Sequence, residues 1–222
     1  AATAGVADRA PANTSPWRVQ GRVLYPHAMS VVPATPKRLK TFRDIIDALP
    51  EHMTGQVIAG RLVVMPRPAP PHIAAASALS HLLGPPFQFG LGGPGGWWIQ
   101  AEPELVLGID ADFEPVDPDL VGWRRDRMPH MPDTAAFDTV PDWVCEVLSP
   151  STEVMDRADK MPFYARAGVG HAWLIDPIAH TLEVFRHAPD GWLLVATFDG
   201  AEPVQAEPFD ALALDLTSLW AE

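Results

Sequence analysis

The sequence predicts an α/β protein with a mixed β-sheet flanked by helices, and three observations carry that expectation. A helix, three strands, a helix and a further strand follow one another from residue 72 to residue 175, an order that builds a mixed sheet rather than a helical bundle. Proline accounts for 25 of 222 residues, about twice its usual share of roughly 5%, which favours many short elements over long helices. The run Val144-Cys145-Glu146-Val147-Leu148 is apolar enough to be a central strand.

Residues 1–36 are rich in alanine and proline and have no regular period, so they read as an extended arm preceding a domain over 37–222. Thr41 can cap a helix over 41–49 that carries Phe42, Ile45, Ile46 and Leu49 on one face and closes at Pro50. Residues 56–65 read as a hairpin turning at Ala59-Gly60. Pro70 and Pro71 open a helix over 72–83, followed by a glycine- and proline-rich loop over 84–96. Strands are expected over 97–107, 119–123 and 143–148, then a helical stretch over 152–167 broken at Pro162. A strand over 172–175 precedes a C-terminal hairpin, 181–186 and 192–198, turning at Pro189-Asp190-Gly191. The tail over 212–220 reads as a short strand and a helical turn.

Composition narrows the function classes. Hydrophobic residues at 47% and charged residues at 20% are globular values that exclude a disordered or fibrous chain. The net charge of −12 opposes a sequence-independent grip on nucleic acid but leaves room for a local groove. Cys145 stands alone, which excludes an intrachain disulfide and a cysteine-only zinc site and points to a reducing, cytoplasmic setting. Apolar stretches such as 144–148 and 192–197 fall far short of the ~20 residues that span a bilayer, so no membrane partner is expected. Trp17, Trp97, Trp98 and Trp220 read as aromatic surface needing cover, from which a homodimer is expected.

The chemistry concentrates around Glu146. In a strand, Val144, Glu146 and Leu148 share one face while Trp143, Cys145 and Val147 share the other. An ionised carboxylate in such company needs a cation, which an Arg or Lys at the strand end or a metal ion can supply. Asp119 opens a neighbouring apolar strand behind the stiff Pro118, either as a turn residue or as a second carboxylate beside Glu146. Two acids that close stay ionised only with a cation between them, and magnesium suits such a pair. Asp156 and Lys160, four apart, read either as a surface ion pair or, given Pro162 just beyond, as a bent helix aiming the lysine at the sheet edge. Cys145 faces away from Glu146 and reads as a small apolar residue, and no histidine pair has zinc-ligand spacing. His72, at a helix start, reads either as a capping or surface residue or as a supporting residue that hydrogen-bonds near the site, and Tyr164 reads as a core aromatic with its hydroxyl at the rim.

These residues, in order, resemble the Uma-two family: Pro118-Asp119-Leu120-Val121, Glu146-Val147-Leu148-Ser149-Pro150-Ser151-Thr152, Asp156-Arg157 with Lys160 and Tyr164, Gly168-Val169, and Trp173-Leu174-Ile175-Asp176-Pro177. Gly60 and His72 are similar to that family's hairpin glycine and helix-start histidine. The resemblance implies a restriction-endonuclease-like fold of the PD-(D/E)XK nuclease superfamily, with Asp119 and Glu146 holding magnesium, manganese able to replace it, and Lys160 supplying positive charge. The plain superfamily motif places its lysine two residues beyond the glutamate, where this chain has Leu148. Gln56 stands where an acidic residue is usual in the early hairpin.

The expected function is therefore metal-dependent hydrolysis of DNA by Asp119, Glu146 and Lys160, with Asp156 and Tyr164 positioning the lysine. A catalytically degenerate interaction domain that kept the fold is the alternative, motivated by Gln56 and the net charge. A hydrolase of free nucleotides on the same scaffold is a third reading.

Overall fold

The computed structural model describes residue 45 and residues 48–51, 53–58, 61–66, 68–110, 114–200 and 202–220. The arm expected over 1–36 and most of the helix expected over 41–49 lie outside the described residues. Two strands, β1 (Met53–Ile58) and β2 (Arg61–Pro66), form the expected antiparallel hairpin, with Gln56 opposite Val63 in the register.

Helix α1 (Pro70–Leu83) starts on two prolines, whose fixed φ suits the first turn and whose missing N–H is no loss there. His72, Ala75, Leu79 and Leu83 recur on its buried side. A π-helical turn over Gly84–Gln88 continues it where a loop was expected.

Six strands make the main sheet: β3 (Trp97–Ala101), β4 (Leu120–Arg124), β5 (Trp143–Val147), β6 (His171–Asp176), β7 (Thr181–Ala188) and β8 (Gly191–Phe198). They lie side by side in chain order. Every neighbouring pair is antiparallel except β5 and β6, so the C-terminal hairpin extends the sheet. A parallel pair needs a crossover, and this one consists of α2 (Glu153–Met155), a π-helical turn (Asp156–Lys160) and α3 (Met161–Ala167).

The alternation expected of β5 is the division between two cores. Trp143, Cys145 and Val147 join α1 and the C-terminal tail on one face, whereas Val144 and Leu148 join Met161, Phe163 and Tyr164 of α3 on the other. Among the described residues no helix is long and apolar enough to cross a membrane.

Two expectations are corrected here. The strand over 97–107 stops at Ala101 because Glu102 turns with a left-handed φ of 48° and Pro103 follows. Leu105 is left to make isolated bridges to Val116 and Phe137. The tail has the expected helical turn, a 3₁₀ turn over Leu216–Leu219, but a single bridge, Val204 to Leu214, in place of the expected strand.

The tryptophans expected to need a partner are also covered within the chain. Trp97 is buried beside Phe209, Trp98 donates from Nε1 to the Met128 carbonyl under the Arg125 guanidinium, and Trp220 stacks on His180. Trp97 thus needs no partner chain, Trp98 and Trp220 are half-buried, and Trp17 lies outside the described residues.

Phe209 is the hub of the tail-side core, with ring centroids of Phe87, Trp97, Trp143 and Trp173 at 4.8, 4.9, 5.0 and 5.5 Å. Truncation leaves a void that four rigid rings cannot collapse into. Phe209→Ala is therefore expected to cost about 3–5 kcal/mol in urea unfolding; a loss below about 1 kcal/mol would contradict this packing account.

Candidate active site

Strand β5 is buried along its whole length, and Glu146 within it is only 1% exposed. A carboxylate there must be compensated, and two side chains from the crossover do so. The Lys160 ammonium donates to Glu146 Oε2 at 2.9 Å, and the Tyr164 hydroxyl donates to Oε1 at 2.5 Å. Lys160, itself 4% exposed, also donates to the Asp117 carbonyl at 3.3 Å and lies 3.2 Å from Asp156 Oδ1. The Asp156 contact is an ion pair without the angle of a directed hydrogen bond.

The crossover brings Lys160 to this position by widening. The Met161 N–H donates to the Asp156 carbonyl, five residues back, and Pro162 then occupies the first turn of α3, where its missing N–H breaks no bond. The wide turn buries both Asp156 and Lys160. The irregularity expected at Pro162 takes the form of a π-helical turn just before it. Leu148, where the plain motif has lysine, is buried in the α3-side core.

Asp119 sits one residue before β4. Leu120 pairs with Cys145, so the next step of that antiparallel register places Asp119 opposite Glu146. Because β4 begins only at Leu120, its pairing does not reach the Val147 amide, and Asp119 Oδ2 accepts that N–H at 2.6 Å. The same oxygen accepts from His72 Nε2 at 3.2 Å.

These groups line one cavity of about 290 Å³. Its walls carry five carboxylates (Glu102, Asp117, Asp119, Glu146 and Asp156) against Lys160 and His72. Burial pushes the Glu146 carboxyl up to about 8, against the opposing pull of the Lys160 ammonium. Burial likewise raises Asp156, and burial together with Glu104 raises Asp117 to about 6. For Lys160, burial works to lower the pKa but is outweighed by Glu146, Asp156 and Asp119, so the amine is held protonated. The shifts agree once stoichiometry is considered: three carboxylates serve one ammonium, while each carboxylate has only a share of it. His72 is similarly raised, its burial outweighed by the hydrogen bond and charge of Asp119.

The donors suit a hard divalent cation. Among the described residues no group of three or more His, Cys, Asp or Glu side chains is placed to hold a metal ion. Magnesium asks for only one or two carboxylates and keeps waters for its other positions. Asp119 Oδ1 and Glu146 meet that requirement; a carboxylate offers about four lone-pair sites, so Glu146 retains capacity beyond its two bonds.

Of the residues singled out in the sequence, Asp119, Glu146, Lys160, Asp156, Tyr164 and His72 come together, while the Gln56 side chain lies outside the described residues. Two details differ. The Tyr164 hydroxyl is fully buried instead of lying at the rim, because α3 lays the ring across the core. It holds Glu146, not Lys160.

Sequence reasoning passed over Asp117 as a site residue, as well as Glu102 and the hydroxyls Ser149, Ser151 and Thr152, all of which line the cavity. Ser149 Oγ lies 3.0 Å from Ser151 Oγ and 2.9 Å from Thr152 Oγ1. The Asp117-Pro118-Asp119 run was a usable signal for Asp117. Nothing local marks Glu102.

A mixed sheet with flanking helices, presenting opposed acids and an ammonium at the end of its parallel pair, is a nuclease-like α/β fold. The chain belongs to the Uma2 family, described as "Putative restriction endonuclease", whose model matches residues 42–217. Its fold is similar to the crystal structure of "a putative nuclease belonging to DUF820" from Anabaena variabilis, with a TM-score of 0.55. That protein is 21% identical, and the alignment covers 81% of this chain and 96% of the other. No curated protein matches the sequence.

The acid surplus has a signature in stability. Glu146 binds its proton more tightly folded than unfolded, so between 4.5 and about 8 the folded state carries more protons and stability falls as pH rises. Asp117 adds a loss of the same sign between 3.8 and about 6. In chelator, urea unfolding is expected to show lower stability at about pH 8 than at about pH 5, with a shallower fall for Glu146→Gln. A parent protein that gains stability over that interval would contradict the buried-acid assignment.

Proposed function

We propose that the protein is a magnesium-dependent endonuclease that hydrolyses DNA phosphodiester bonds. The observation that carries this reading is a single cavity lined by five carboxylates and the Lys160 ammonium, with Asp119 and Glu146 opposed across two strands. Such a cavity repels a phosphate until cations neutralise it, and a phosphodiester then has acids, ammonium and hydroxyls within one wall. Membership of a family described as "Putative restriction endonuclease" supports the same chemistry.

Asp119 and Glu146 would hold the ion, which supplies Lewis acidity and a water of lowered pKa when bound. Tyr164 holds the Glu146 carboxylate from behind, so its orientation does not depend on Lys160 alone. Lys160, steadied by Asp156 and the Asp117 carbonyl, stabilises the charge that gathers on the phosphorane. Replacing Glu146 by Gln removes a ligand charge while leaving one carbonyl acceptor for Lys160 and an amide N–H that can donate to the Tyr164 hydroxyl oxygen.

The test is cleavage of supercoiled plasmid with magnesium or manganese in the full-length chain. Asp119→Asn and Glu146→Gln are each expected to lower the rate on the order of 100-fold or more, and Lys160→Met likewise. Cleavage that persists unchanged in Asp119→Asn would end the assignment. A folded parent protein that neither cleaves DNA nor binds manganese would favour the interaction-domain reading, and cleavage of free nucleotides in preference to oligonucleotides the third.

A further inference from the structure

We infer that His72 is a positioning residue for Asp119, fixing its carboxylate so that Oδ1 is the oxygen offered to a cation; this rests on Asp119 being a metal ligand. Two donors from separate elements meet on the same oxygen, the Val147 amide of β5 at 2.6 Å and His72 Nε2 of α1 at 3.2 Å. One donor would leave the carboxylate free to swing about its terminal torsion. Two donors from different directions define both the oxygen that is occupied and the one that is left for the cavity.

Local sequence explains how His72 arrives there. Pro70 and Pro71 set the start of α1, which places residue 72 in the first turn on the buried side of the helix. The imidazole is 8% exposed, and its other nitrogen, Nδ1, is buried with no hydrogen-bond partner. A side chain selected only to fill that space would be apolar, because an unsatisfied buried nitrogen is costly. Retaining a histidine there gains one polar contact among the described residues, and that contact is Asp119.

The experiment is calorimetric titration of the metal-free full-length protein with manganese, alongside thermal melts. His72→Leu, which fills the space without a donor, is expected to weaken manganese binding by about 10-fold or more. His72→Gln, whose amide nitrogen reaches about as far as Nε2, is expected to restore most of that affinity. Asp119→Asn should abolish binding at this site. If His72→Leu melts like the parent and binds manganese equally well, the inference is overturned, and failure of His72→Gln to recover affinity in a folded variant overturns it too. Equal binding by the parent and Asp119→Asn would instead overturn the metal reading of Asp119, and the inference with it.

Discussion

One ammonium shared among three acids is the constraint around which the site end of this molecule is arranged. Lys160 touches Glu146 and Asp156 directly and feels Asp119, and Lys160, Glu146 and Asp156 are all buried. Desolvating even a balanced pair costs several kcal/mol, and here the balance is short of positive charge. An arrangement so costly persists only if neighbouring structure leaves the side chains nowhere else to go. The sheet does this. Glu146 is fixed by parallel pairing with Leu174 on β6, and the two cores press on the strand from both sides.

The parallel pair also decides where the lysine must come from. Once β5 and β6 run in the same direction, a helical crossover has to lie over one face of the sheet. The face it covers is the one carrying Val144, Glu146 and Leu148, since Tyr164 and Phe163 pack there. A lysine at position 148 would have come off the strand itself, whereas Lys160 reaches down from the crossover. The π-helical turn makes this reach compatible with the helix, turning Asp156 and Lys160 inward together. A buried acid on the same turn then travels with the lysine, which is why the charge surplus is built into the helix as well as the sheet.

Much of this was readable from residue order, and the failures are instructive. The two faces of β5 follow from a period of two, so the separation of Cys145 from Glu146 needed no tertiary information. The meeting of Asp119, Glu146 and Lys160 was legible because strand, strand and crossover occur in that order. What escaped were contacts between elements far apart in sequence. The His72–Asp119 contact joins α1 to the start of β4, and Glu102 enters the cavity only because a left-handed turn stops β3 early. Trp97 was misread for the same reason, since it is buried when the C-terminal tail folds back and sets Phe209 beside it.

The net charge of −12 need not be read against a nucleic-acid substrate once the cavity's own balance is considered. A phosphate brings a further negative charge toward walls that already carry five carboxylates, so encounter with a bare site is repulsive. On the proposed reading, cations must therefore enter first, at Asp119 and Glu146. Metal and proton compete for Glu146, because the ion needs the ionised carboxylate and burial favours the neutral one. Acidity at the surface and acidity in the cavity then have different consequences. The first keeps nucleic acid from binding indiscriminately, while the second makes productive binding conditional on a loaded site.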